Sequence, residues 1–331
     1  MERFALAAAV VLGFALTAAL CSLFVPLRRV LERREQNQQP VQPEQPRPAP
    51  LRAPLWGGLC AAAGTVAAVG VGWLAACVGQ PELLGSEGRL MTRLLTALAG
   101  SLAFGAVGLA EDLARMRSPA ALGLRRDVRL LLEALAAAFV LLLLRAAGCL
   151  PRGLDVPGAG YVLLGSAVPF LWAVLMVALA ECARIAERDE GTVCGAAFVA
   201  MLALMMAEAG LGVPGLAVLP AALAGALVAL LLWAFPPARL GVGCCGSLLA
   251  AGAIGCIPLS LDMTSLTVPL ALPFWAAGGL LAAQLLGAKR TGKPLRCWVK
   301  KHKMSPETVF LCSFALSAVG YVLALALLRW C

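Results

Sequence analysis

An all-α polytopic membrane protein of about ten transmembrane helices is the fold class this sequence predicts, and three observations carry the prediction. The chain is 61% hydrophobic and 14% charged, with a mean hydropathy of +0.88, whereas soluble domains carry roughly a quarter charged residues. Its apolar residues fall in continuous Leu/Ala/Val runs close to the about 20 residues that cross the hydrocarbon as a helix. These runs lack the alternation of a barrel strand, and a helix satisfies its own backbone in lipid. Finally, Lys and Arg are confined almost entirely to alternate loops.

Spans are expected over residues 4–25, 55–78, 94–109, 130–147, 161–180, 192–211, 214–235, 243–259, 266–286 and 308–328. The first begins like a secretory signal, and "TAALCS" resembles a lipoprotein cleavage site. However, Leu20 precedes Cys21 where a small residue is needed, and nine more apolar runs follow. Between the first two spans, "REQNQQPVQPEQPRPAP" lacks core-forming residues, so 35–53 reads as a Pro/Gln-rich cytoplasmic linker within a single transmembrane domain, 1–331. The third span ends on two acids, Glu111 and Asp112, ahead of an arginine-rich loop. The sixth and seventh are separated only by "GLGVPG".

Placing the loops after the first, third, fifth, seventh and ninth spans in the cytoplasm gives them all 27 basic residues except Arg3, Arg89, Arg93, Arg145, Arg152 and Arg329. Both termini then face outward, with five cytoplasmic loops between them. The formal charge of +9 follows from this bias and from attraction to anionic membrane lipids. Nucleic acid is excluded as a partner, because the basic residues are divided among separate loops with few aromatics between them. The 12 cysteines are scattered through apolar runs without a CxxC pair, as small packing residues are.

Six short motifs lie in a definite order. "PLWGG" (54–58) opens the second span, and "GLAED" (108–112) closes the third. "GLRRDVRLLLE" (123–133) opens the fourth, and "ECARIAERDEGTVCG" (181–195) joins the fifth to the sixth. "GCCGSL" (243–248) opens the eighth, and a basic loop, "GKPLRCWVKKHKMSPETV" (292–309), contains the chain's single histidine, His302. This arrangement resembles the polyprenyl-phosphate N-acetylhexosamine-1-phosphate transferases, glycosyltransferase family 4, which includes phospho-N-acetylmuramoyl-pentapeptide transferase.

The resemblance implies a bacterial cytoplasmic-membrane enzyme of cell-envelope polysaccharide or peptidoglycan synthesis, using Mg2+. In that reaction the phosphate of a polyprenyl (undecaprenyl) phosphate attacks the β-phosphorus of a UDP-sugar. The products are a lipid-linked pyrophosphoryl sugar and UMP. Bringing such anions together calls for a cation held by carboxylates, basic side chains on phosphate and a carboxylate base. By resemblance, Glu111 and Asp112 are the base and lipid-phosphate site, and Glu187 and Glu190 form a second acidic cluster. Arg129, at the family's lysine position, Arg184 and His302 are phosphate contacts. Glu111, Asp112, Glu187, Glu190, Cys244 and His302 are expected to converge on one cytoplasm-facing cleft, and a homodimer is left open.

The chain departs from the family pattern at several of these positions. Glu111, Glu187 and Glu190 stand at aspartate positions, Glu133 at a glutamine position, and Glu181 and Arg184 at asparagine positions. Cys244 replaces the aspartate of "GDxGSL", and a thiol is a poor magnesium ligand. Residues 181–190 could equally form a ladder of ion pairs one helical turn apart, and Arg129 could equally set topology or face lipid. Two functions therefore stand: an active sugar-1-phosphate transferase, or a catalytically inactive paralogue acting as a lipid-phosphate-binding or assembly partner. A small-solute transporter would place charges near the bilayer midplane, whereas most acids here lie at helix ends.

Overall fold

The computed structural model describes residues 2–38, 56–79, 88–117, 123–151, 153–156, 160–163, 165, 167–187, 191–213, 215–235, 238–286 and 305–328. Its helices are α1 (Glu2–Gln38), α2 (Gly57–Gly79), α3 (Gly88–Arg117), α4 (Arg126–Ala146), α5 (Ala167–Ala186) and α6 (Thr192–Gly210). They continue with α7 (Val218–Ala234), α8 (Gly243–Ser260), α9 (Thr267–Leu270), α10 (Leu272–Leu286) and α11 (Pro306–Leu328). Between α4 and α5, β1 (Gly153–Val156) and β2 (Gly160–Leu163) form an antiparallel hairpin in which Gly153 pairs with Leu163. Among the described residues, α1, α2, α3, α5, α6, α8 and α11 are long and apolar enough to cross a membrane, and α7 is a shorter apolar helix. The chain is an all-α polytopic membrane protein.

At its centre stands α8, all 18 of whose residues are buried. Lipid chains are as apolar as leucine, so helices in a bilayer associate through close packing of small residues. The Gly/Ala/Cys/Ser-rich surface of α8 suits this, and α3 packs most extensively along it, with α2, α5 and α6 around the rest. A Cβ on Gly108 of α3 would collide with the carbonyl of Cys244. On the other side, Gly58 of α2 lies against the backbone of Gly246. A second layer is formed by α1, which packs on α7 and α2.

The observed elements differ from the expected spans in four places. The third does not stop at residue 109: α3 runs 30 residues to Arg117, about 45 Å, and so exceeds a hydrocarbon core of ~30 Å. Glu111 and Asp112 therefore lie inside a helix, where Arg115 one turn on pairs with them. The fifth span begins at Ala167, not at 161, because Tyr161–Leu163 belongs to a short β-branched and aromatic strand bounded by glycines. The ninth is broken into a 3₁₀ turn, α9 and α10. Pro273 lacks an N–H and would clash with the carbonyl four residues back, which ends continuous helix there. Lastly, α1 extends to Gln38, so residues 35–38 of the expected linker are helical and 39–55 lie outside the described residues.

Candidate functional site

The site is built where the end of α3 meets the start of α8. Val242, which precedes α8, has no side chain able to cap it, so the first N–H groups of that helix need acceptors from elsewhere. Asp112 supplies them: its Oδ1 accepts from the backbone N–H of Cys244 at 3.0 Å and its Oδ2 from that of Cys245 at 2.9 Å. Gly108, four residues earlier on the same face of α3, allows the close approach that brings Asp112 within reach. The carboxylate also faces the positive end of the α8 dipole. The α2 start is held to the same junction, with Gly57 and Gly58 donating backbone N–H bonds to the carbonyls of Gly241 and Val242 at 3.2 and 2.9 Å.

From Asp112 a chain of ion pairs runs along α3 and crosses to α4 and α5. Arg115 Nη2 lies 2.6 Å from Glu111 Oε1, while its Nη1 lies 3.9 Å from both Asp112 Oδ1 and Glu187 Oε2. Glu187 sits just beyond the end of α5. Arg129, on the first turns of α4, reaches Glu111 Oε1 at 3.7 Å through Nη1 and Glu181 Oε1 of α5 at 2.7 Å through Nε. Arg184 closes the chain by donating to Glu181 Oε2 at 2.6 Å. Beneath Arg129, Glu133 is fully buried, 3.9 Å away, and neither of its oxygens has a hydrogen-bond partner.

These positions sort the sequence expectations. Glu111, Asp112, Arg129, Arg184, Glu187 and Cys244 come together at one end of the bundle, from four separate stretches of sequence. Glu190 and His302 lie outside the described residues. Arg129 does not face lipid, since it is 7% exposed and paired across helices. One pair of the expected ladder, Glu181 with Arg184, is present, but Glu181 also serves Arg129. The sequence motifs give no catalytic or binding role to Arg115, Glu133 or the Cys245 N–H. The first two carry a sequence signal, since each stands four residues from an oppositely charged site residue. The third carries none, because a backbone N–H is the same for every residue type but proline.

Residues 94–262 match glycosyl transferase family 4, a stretch that runs from within α3 through α8 and takes in every side chain of the network. This chain belongs to glycosyl transferase family 4. Among similar family 4 proteins is the phospho-N-acetylmuramoyl-pentapeptide-transferase of Geobacillus kaustophilus (strain HTA426), 25% identical over 296 residues that cover 88% of this chain and 86% of the relative. The protein of that name from Mycobacterium bovis (strain BCG / Pasteur 1173P2) is 27% identical over 265 residues, 72% of each chain. One from Synechococcus sp. (strain RCC307) is 30% identical over 212 residues, covering 63% of this chain and 55% of its own. Family 4 points to membrane phospho-sugar transfer in peptidoglycan synthesis, with polyprenyl phosphate and UDP-sugar as substrates, and this member is a multi-pass protein of the bacterial cytoplasmic membrane.

Enzymes of family 4 use a divalent metal, but the donors present here do not fit magnesium. Mg2+ requires near-octahedral oxygen ligands and keeps several waters. Asp112 is buried with each oxygen accepting an N–H of α8, Glu181 is bound by two arginines, and the first turn of α8 offers a thiol in place of a carboxylate. The oxygens without hydrogen-bond partners, Glu111 Oε2 and the Glu133 pair, are buried, and among the described residues no three acidic, cysteine or histidine groups are placed to share an ion.

Proposed function

We propose that this chain keeps the ligand-recognising frame of its family, for a polyprenyl phosphate and a UDP-sugar at the cytoplasmic face, but transfers sugar-1-phosphate poorly or not at all. It would then serve envelope polysaccharide or peptidoglycan synthesis as a lipid-phosphate-binding or assembly partner. The observation that supports this reading is the position of Asp112. A catalytic base needs an oxygen lone pair aimed at the nucleophile's proton, whereas Asp112 is buried and each of its oxygens accepts an N–H of α8, which turns the carboxylate inward as a helix cap. The neighbouring acids are likewise matched to guanidinium groups within the protein.

The convergence of Glu111, Arg129, Arg184 and Glu187 favours the second reading, an active transferase. Magnesium-dependent exchange of labelled UMP into UDP-GlcNAc or UDP-MurNAc-pentapeptide, with undecaprenyl phosphate present, separates the two. The expected result is exchange at background, unchanged in Asp112→Asn, together with measurable binding of undecaprenyl phosphate. Turnover within tenfold of an ordinary enzyme's ~10 per second, abolished by Asp112→Asn, would establish the active reading in its place.

A further inference from the structure

We infer that the Arg115 guanidinium is the resident cation of this site, holding its acids together in place of a metal ion. Three carboxylates from two separate elements converge on it: Glu111 at 2.6 Å, and Asp112 and Glu187 at 3.9 Å each. Such convergence on a single cation is what a bridging metal provides elsewhere. Here one positively charged fork, with fixed planar donors, provides it.

The side chain is held in that place. Gly123 has a φ of +71°, and a Cβ on it would lie 3.1 Å from Arg115 Cγ and 3.3 Å from its Nε, so the backbone ahead of α4 lies against the arginine stem. With a side-chain exposure of 19%, Arg115 is not a freely swinging surface group. An incoming hydrated ion would have to displace this guanidinium and also recruit oxygens that are buried or bonded to backbone. The site therefore keeps its acids together without metal, an assignment that rests on the same network as the function proposed above.

The test uses purified full-length protein in detergent, with Mn2+ as the probe. Electron paramagnetic resonance of free Mn2+ counts bound ions, and thermal melts compare EDTA with magnesium. The wild type should bind no Mn2+ stoichiometrically and melt within about 1 °C in the two buffers, a difference worth only a fraction of a kcal/mol. Arg115→Ala should melt lower in both buffers alike, because Glu111, Asp112 and Glu187 lose their shared counter-ion and are not placed to hold a metal in its stead. Arg115→Gln provides the same comparison with less lost volume, and the wild-type Mn2+ count decides the matter if neither variant folds. One Mn2+ bound per wild-type chain and displaced by Mg2+, or variants that melt as the wild type does, would overturn the assignment. UMP exchange that persists in EDTA would overturn the non-catalytic reading while leaving Arg115 as the resident cation.

Discussion

Arg129 shows how much depends on one side chain in this site. It is buried and touches Glu111, Glu133 and Glu181, which belong to three different helices. Removing one partner of a buried ion pair leaves uncompensated charge and typically costs about 3–5 kcal/mol, more than the intact pair contributes. Arg129→Met should therefore sharply lower the midpoint of a thermal melt in detergent. Adding Glu133→Gln should recover part of the loss, since that buried carboxylate, unlike Glu181 with its Arg184 partner, is left without an ion pair. A double variant no more stable than Arg129→Met would show that Glu133 is not what the arginine neutralises. The sequence placed these residues at motif positions but could not show their pairing, because Arg129 and Glu181 are 52 positions apart. Only the fold makes them neighbours.

At the scale of elements, the contact between α3 and α8 sets the site's geometry. Gly108 brings the backbones together, and Asp112 on the same face caps the neighbouring helix. Gly108→Leu should push α3 from α8 and remove the cap along with the packing. Its stability loss and that of Asp112→Asn should then be strongly non-additive, the double variant lying close to Gly108→Leu alone. Simple addition of the two losses in melts would show that the cap survives without the glycine. Apolar continuity made α2, α6, α8 and α11 legible to within a few residues, because long hydrophobic runs have few alternatives in a membrane. It failed where a different local rule applied. Two charged residues inside α3 looked like an end because their partner, Arg115, is visible only once the helix is assumed to continue. Pro273 divided what read as one ninth span, and a glycine-bounded hairpin took the start of the fifth.

For the molecule as a whole, the basic-residue bias predicts the network at the cytoplasmic face and the hairpin outside. Arg125 and Tyr161 are both exposed and flank these two regions. In intact cells a membrane-impermeant maleimide should label Tyr161→Cys at once and Arg125→Cys only after permeabilisation, against the wild type as background. Labelling in the opposite order would invert the topology and separate the site from any cytoplasmic nucleotide. The central position of α8 also bears on how the protein is made. Asp112 is synthesised more than a hundred residues before the N–H groups it will cap, so the growing chain inserts α3 with that carboxylate still waiting for its partner. Since α8 exposes no residue outside the bundle, its arrival fills the middle of helices already inserted, and biogenesis is complete only when this late core is seated. A chain truncated after Leu240 should thus reach the membrane yet be cleared quickly by quality-control proteolysis, measurable as a shortened half-life in pulse–chase labelling, whereas one truncated after Ser260 should persist longer.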